Sequence, residues 1–156
     1  MTNELDKYLV KKYPKIFADR YKDMNDTAMC WGFDHDNGWF WLLDQLCGTI
    51  QNYIDNNNKY RKPDEQISQV VATQVKEKFG YLNFYFHGGD DHIDGMVSLA
   101  ESMSQCVCER CGTIENVGHT KGSWIFTICK NCYDKDERLV NGNFIWNQNE
   151  NIDVQI

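Results

Sequence analysis

No apolar run in this chain of 156 residues approaches the roughly 18 needed to span a bilayer, so the sequence predicts a soluble protein with no membrane partner. The opening residues, Met1-Thr2-Asn3-Glu4-Leu5-Asp6, are polar and lack the basic-then-apolar pattern of a secretory signal. Internal repeats and low-complexity tracts are also missing. Basic charge is short: 16 Lys and Arg stand against 23 Asp and Glu, a formal net charge of −7. That balance opposes general attraction to phosphate backbones and disfavours non-specific nucleic-acid binding. The acids are too dispersed for a DNA mimic, and Lys11, Lys12 and Lys15 form a local basic cluster. An even cysteine count is lacking too. Seven cysteines, four of them at metal spacing, argue against a disulfide framework and for a reducing cytoplasm.

What is present supports a folded domain: 42% hydrophobic and 13% aromatic residues in a length that one core can serve. Its strongest motif is Cys108-Glu109-Arg110-Cys111-Gly112, answered by Cys129-Lys130-Asn131-Cys132. Two Cys-x2-Cys pairs at this separation predict one tetrahedral zinc ion held by Cys108, Cys111, Cys129 and Cys132, with a β-hairpin between the pairs. Gly112 lets the backbone turn toward the sulfurs. Four thiolates leave no coordination position for water or substrate, so the zinc is expected to be structural. Cys106 is an alternative chelator, with Cys108 preferred because it completes the Cys-x2-Cys-Gly pattern. Cys30 and Cys47 read as small core residues.

Along the chain, helical spacing predicts a short amphipathic helix from Asn3 to Tyr13, ended by Pro14. Asn37-Gly38 marks a turn, with Asp36 or Asn37 as cap for a main core helix over about 38–56. Val70 to Lys78 reads as a strand, with Val71, Thr73, Val75 and Glu77 on one face and Ala72, Gln74, Lys76 and Lys78 on the other. Phe79-Gly80 reverses it into an aromatic strand, Tyr81 to Phe86. Asp90 or Asp91 caps another helix, whose stripe is Ile93, Met96, Val97, Ala100, Met103 and Val107. Within the ribbon, Gly118 to Gly122 is the expected tip and Ser123 to Ile128 the return strand. Phe144-Ile145-Trp146 and Ile152-Asp153-Val154 are candidates for an edge strand. The fold class is therefore α+β, helices on a small antiparallel hairpin with a zinc-ribbon-like hairpin after it. The expected organisation is one domain: an α+β core over 1–105, a ribbon over 106–133 and a tail over 134–156.

Two further groupings bear chemistry. Asp34-His35-Asp36 and His87-Gly88-Gly89-Asp90-Asp91-His92 contain the oxygen and nitrogen donors of a second metal, which would support a metal-dependent hydrolase. Alternatively, they do ordinary turn and capping work. Lys76 and Lys78 share one hairpin face, near Tyr81 and Tyr85, with Gly88 and Gly89 close in sequence. Together with Trp31 and Trp39 they form a candidate ligand set: ammonium groups for phosphate, rings for stacking, glycines for close approach. The competing reading is a sheet with one aromatic core face and one solvated lysine face.

Several of these stretches together resemble a group of phage and prophage proteins. That group has a Gly-Trp-Phe helix start, a Gln-Val-Lys-Glu-Lys-Phe-Gly hairpin, an aromatic strand ending near Gly-Gly-Asp, and a terminal zinc ribbon. Here they are Gly38-Trp39-Phe40, Gln74 through Gly80, Phe84-Tyr85 with Gly88-Gly89-Asp90, and Cys108 to Cys132 with Gly122 and Trp124, covering roughly 31–132. The chain departs from that pattern at Asn37, where an Asp is usual, and at Tyr81 and Asn83, where Gly and Arg are usual. The resemblance implies a phage setting and no particular activity. The expected function is a non-catalytic, zinc-stabilised protein in the host cytoplasm that sequesters or occludes a nucleotide-like ligand or a host protein. A zinc-ribbon nucleic-acid binder is the remaining alternative.

Overall fold

The computed structural model describes residues 1–122, 124–142 and 145–148. The first helix, α1 (Asn3–Lys12), stops before Tyr13-Pro14, as expected, and carries acids in its first turn and lysines in its last, matching the helix dipole. After a turn over Ala28–Trp31, a two-residue strand β1 (Phe33–Asp34) leads into a single 3₁₀ turn, Asn37–Trp39, and then the long helix α2 (Phe40–Asn58). Phe40, Leu43, Leu46, Cys47, Ile50 and Ile54 form its buried stripe. Asp44 is also buried on α2, where Lys12 Nζ donates to it at 2.7 and 2.9 Å and Tyr13 OH at 2.9 Å, tying α1 to α2.

The expected cap on α2 is not made. Neither Asp36 nor Trp39 caps by side chain, and Asn37 Oδ1 instead accepts from Thr2 N at 2.8 Å. The helix start is fixed from outside, because Gly38 N donates to the Glu109 carbonyl at 2.6 Å and Trp39 Nε1 to the Val107 carbonyl at 2.9 Å.

Strand β2 (Val71–Lys78) pairs antiparallel with β3 (Tyr81–His87), and β1 adds in parallel to the other side of β2, giving the order β1-β2-β3. Phe79 and Gly80 have φ of 56° and 87°, as a two-residue type I′ hairpin requires. Strict alternation along β2 does not hold. The register shifts between Ala72 and Gln74, so Ala72 and Val75, three apart, are both buried. This bulge corrects the expected face of Val71 and Thr73, while Lys76 and Lys78 remain together opposite Val75. Helix α3 (Asp91–Ser104) is capped by Asp90, whose carboxylate accepts from Ile93 N. It packs on β3 and against α2.

A second sheet has the order β5-β4-β6, from β4 (Val117–Lys121), β5 (Thr127–Cys129) and β6 (Ile145–Gln148). Gly118 lies within β4, so the hairpin tip falls later than expected, and the return strand begins only at Thr127. Ser123 and Phe144 lie outside the described residues, as does Ile152-Asp153-Val154. The edge strand expected near Ile145 and Trp146 is β6. Two short helices not read from the sequence, α4 (Lys130–Asp134) and α5 (Glu137–Val140), follow β5, and Leu139 enters the small core of Cys108, Val117, Ile128 and Cys129. The ribbon unit thus extends past residue 133. Among the described residues no helix is long and apolar enough to cross a membrane.

Candidate metal centre and adjoining cleft

The first cysteine pair sits on a closed knuckle. Cys108 N donates to the Thr113 carbonyl and Gly112 N to the Cys108 carbonyl, each at 2.8 Å, and Gly112 takes φ +78°, the left-handed turn anticipated for it. The second pair starts α4, with Cys129 Sγ accepting from Cys132 N at 3.4 Å. All four sulfurs lie within 4.8 Å of one another, and Cys111 Sγ and Cys129 Sγ are 3.8 Å apart. A tetrahedral ion with 2.3 Å bonds to sulfur sets its ligands about 3.8 Å apart, so these residues can hold a metal ion. Cys106 is exposed and outside the group, leaving Cys108 as the ligand. Burial pushes the Cys108 thiol up, and the backbone N–H groups of Cys129, Cys111 and Arg110 work against it. At Cys111 burial also favours the neutral thiol, but the Thr113 N–H and the neighbouring sulfurs bring it below its ordinary value.

The two loops read as a possible second metal site are not brought together. Asp34 pairs with Lys76 on one flank of β2, and His87 pairs with Val71 on the other. Five residues separate those positions, roughly 16 Å of strand. His92 stacks on Tyr53 with ring centroids 5.6 Å apart, and Asp90 both caps α3 and accepts from Tyr53 OH at 2.9 Å. Among the described residues the four cysteines alone are grouped as metal ligands.

The candidate ligand set is also divided. Trp39 is fully buried with its indole N–H already used, so it belongs to the core. Gly88 and Gly89 have positive φ and do allow a close backbone approach, but to the chain's own Ser68-Gln69 segment, where Gly89 N donates to the Ser68 carbonyl at 3.0 Å. Trp31 is exposed before β1. Lys76, Lys78, Tyr81 and Tyr85 do share the outer hairpin face. Lys78 lies opposite Tyr81, and Lys76 Nζ is 5.7 Å from the Tyr85 ring centroid.

Where the hairpin meets the ribbon tip, a cleft of about 940 Å³ opens. The β2–β3 turn contributes Lys76, Glu77, Lys78 and Phe79, and the ribbon contributes Glu109, Gly122, Trp124 and Phe126. Residues Phe33 to Asp36 close the remaining side. Glu77 joins the two walls, its Oε1 accepting from Gly80 N at 2.6 Å and its Oε2 from Trp124 Nε1 at 3.0 Å. Glu109 is buried, accepts from Asp36 N at 3.1 Å, and has its carboxyl pushed up to about 7 by burial. His35, 6% exposed, has Nδ1 2.7 Å from the Asp36 carbonyl, which makes Nδ1 the protonated nitrogen. Its Nε2 is buried with no hydrogen-bond partner among the described residues, and desolvation lowers the imidazole to about 4.

A second, apolar groove of about 400 Å³ runs between α2 and α3, floored by Leu46 and Ala100 and edged by exposed Trp41, Leu99 and Met103.

No family model, curated protein or solved structure matches the chain. Sequence reasoning missed His35 and Glu109 as members of one cleft, and took Glu77 only as a strand residue. The available signal was indirect: the hairpin stretch Gln74 to Gly80 and the ribbon residues Gly122 and Trp124 both carry the resemblance described above. The fold sets them facing each other.

Proposed function

We propose that this chain is a zinc-stabilised, non-catalytic binding protein of phage or prophage origin. It acts in the host cytoplasm by occluding a partner protein, with the cleft between hairpin and ribbon tip as its binding surface. Zinc suits four thiolates at tetrahedral spacing, and with every coordination position filled by sulfur it serves the fold rather than a reaction. The phage setting rests on the resemblance alone. The observation that carries the binding reading is the cleft itself, whose walls come from both structural units and are joined by Glu77.

A protein partner is favoured over a nucleotide by the exposed rings at the mouth of the cleft. The charges there are close to balanced: Asp34, Asp36, Glu77 and Glu109, the last with its carboxyl pushed up to about 7, stand against Lys76, Lys78 and the Met1 ammonium, so the cleft presents no net positive field to a phosphate. Phe79 and Trp124, 65% and 56% exposed, are the aromatic type that anchors protein interfaces. The test is a photo-crosslinking residue placed at Phe79 in the zinc-loaded full chain, alongside calorimetry against cyclic and linear nucleotides. A discrete host protein captured at Phe79 and lost with Trp124→Ala supports the reading. Capture unchanged by Trp124→Ala, or capture of no host protein, overturns it. A nucleotide bound on the outer hairpin face and lost with Lys76→Ala favours the small-molecule version, for which Lys76 beside Tyr85 is the specific support.

A further inference from the structure

The apolar groove between α2 and α3 lies apart from the cleft. None of its lining residues is charged, and Trp41, Leu99 and Met103 stand 69%, 62% and 49% exposed along it. Apolar side chains gathered in a cavity of about 400 Å³ are costly to leave in water, and uncharged walls select neither a phosphate nor a cation. The complementary occupant is apolar. One end of the groove is formed by Gly38 and Gly112, whose backbones touch, so it opens at the first cysteine knuckle. Trp41 and Met103 lie within a turn or two of that end.

The chain directs a matching segment there. β6 runs antiparallel to β4, with Ile145 opposite Lys121 and Gln148 opposite Gly118, so it leaves the sheet heading for the knuckle. The Trp146 indole donates to the Ile128 carbonyl at 3.0 Å, which fixes that exit. The sequence continues Asn149-Glu150-Asn151-Ile152-Asp153-Val154-Gln155-Ile156. Its apolar residues recur at every second position, the period of an extended segment with one apolar face. Counted on in the β4–β6 register, Ile152 falls level with Ile114, which is 74% exposed, and Val154 with Gly112 at the groove mouth. Asn116 takes φ 49°, so β4 offers no straight edge before Val117 for simple extension of β6. Gly112 is at most about 21 Å from Gly118 along the chain. The closure of Cys111 Sγ on Cys129 Sγ, 3.8 Å apart beside Val117, shortens that distance. Residues 149–156 can span about 27 Å when extended, enough to pass the knuckle and enter the groove.

We infer that the groove is a site for an extended apolar peptide and that the chain's own segment over 149–156 is its occupant. Ile152 lies against Ile114, and Val154 and Ile156 enter the knuckle end between Trp41 and Met103, with Asp153 and Gln155 toward solvent. The segment thereby straps the ribbon to the two helices of the body.

A benzophenone photo-crosslinker placed at Met103 in the zinc-loaded full chain tests this, with mass spectrometry of an equal mixture of ¹⁴N and ¹⁵N chains. Crosslinks should fall within 152–156 and join residues of one isotopic chain, and the same probe at Trp41 should give the same result. Val154→Asp combined with Ile156→Asp should cut the yield at least fivefold, whereas Asp153→Asn on the opposite face should leave it within twofold. A tethered segment holds its site at a millimolar effective concentration. The free peptide of residues 149–156 should therefore shift the Trp41 indole N–H of the doubly substituted chain and bind the parent at least tenfold more weakly. Crosslinks between isotopes would make the groove a joint between copies and overturn the inference, as would capture of a host protein in place of the segment. Crosslinks outside 149–156, or a yield untouched by the double substitution, would overturn it as well.

Discussion

The α+β body and the ribbon unit are built on different physics. The body buries a continuous set of large side chains, from Leu9, Ile16 and Phe17 through Trp39, Leu43 and Ile50 to Leu82, Phe84 and Ile93. In the ribbon, apart from Cys108 and Cys129, the described residues bury only Val117, Ile128 and Leu139 as apolar core. At about 25 cal/mol per Å² of apolar surface, the first set can offset chain entropy and the second cannot. A unit this thin needs further support, which a metal ion on its four cysteines could supply together with the body it leans on. It leans on the body at the Gly38 turn and at the β2–β3 turn, where Thr127 Oγ1 donates to the Gly80 carbonyl.

Removing the metal site should separate the two regions most sharply. Binding of structural zinc contributes on the order of 10–16 kcal/mol to small zinc-finger folds at neutral pH, so Cys129→Ser should release the ion and melt the ribbon. Amide exchange should show protection lost over 106–133 and at the end of α3, with α2 still protected. Metal content that stays unchanged in this variant would refute the four-cysteine site.

Gly38→Ala tests the joint between the regions. A Cβ there would overlap the carbonyl oxygens of Cys108 and Glu109. Relief requires backbone movement, and a loss of about 3 kcal/mol is expected from overpacking of this kind. Denaturant melts should show it, with the ribbon's exchange rates rising before those of α2. A variant as stable as the parent would mean that the joint does not couple them.

The pH dependence of the cleft is separable by difference. His35 titrates at about 4 when folded and near 6.5 when unfolded, so the unfolded chain binds more protons between these values. Its contribution is present above pH 6.5 and lost as pH falls toward 4, to a total of roughly 3 kcal/mol. Stability of His35→Phe should therefore fall less than that of the parent across this window, and parallel curves would contradict the buried neutral imidazole. The smallest effect is expected at the latch. Trp124→Phe removes one hydrogen bond to Glu77 and should cost about 1 kcal/mol, with ribbon-tip exchange rising and the metal content unchanged.

Much of this structure could be read from local patterns. The 3.6-residue spacing located α1, α2 and α3, the Phe79-Gly80 reversal placed the hairpin turn, Asp90 was a recognisable cap, and the two Cys-x2-Cys pairs marked a cluster that can hold a metal ion. Each of these signals is complete within one turn, one helix face or one chelating loop. The bulge after Ala72 was not visible, because the residue that breaks the alternation is an ordinary Thr73 and the break exists only against the partner strand. The start of α2 was misassigned to a side-chain cap for a related reason: the turn that leads into it is held at Gly38 N and the Trp39 indole by carbonyls some 70 residues away.

The sequence by itself determined the α+β class, the four cysteines that can hold a metal ion and the acidic balance, since periodicity, chelate spacing and charge are properties of neighbours along the chain. Only the tertiary structure decided that Trp39 is core, that Gly88 and Gly89 serve the chain's own packing, and that the Asp34–Asp36 and His87–His92 loops stay apart. It also brought His35, Glu77, Glu109 and Trp124 to one cleft. Those outcomes depend on which surfaces meet when the hairpin, helices and ribbon pack, and burial, the force that brings them together, is non-directional along the sequence.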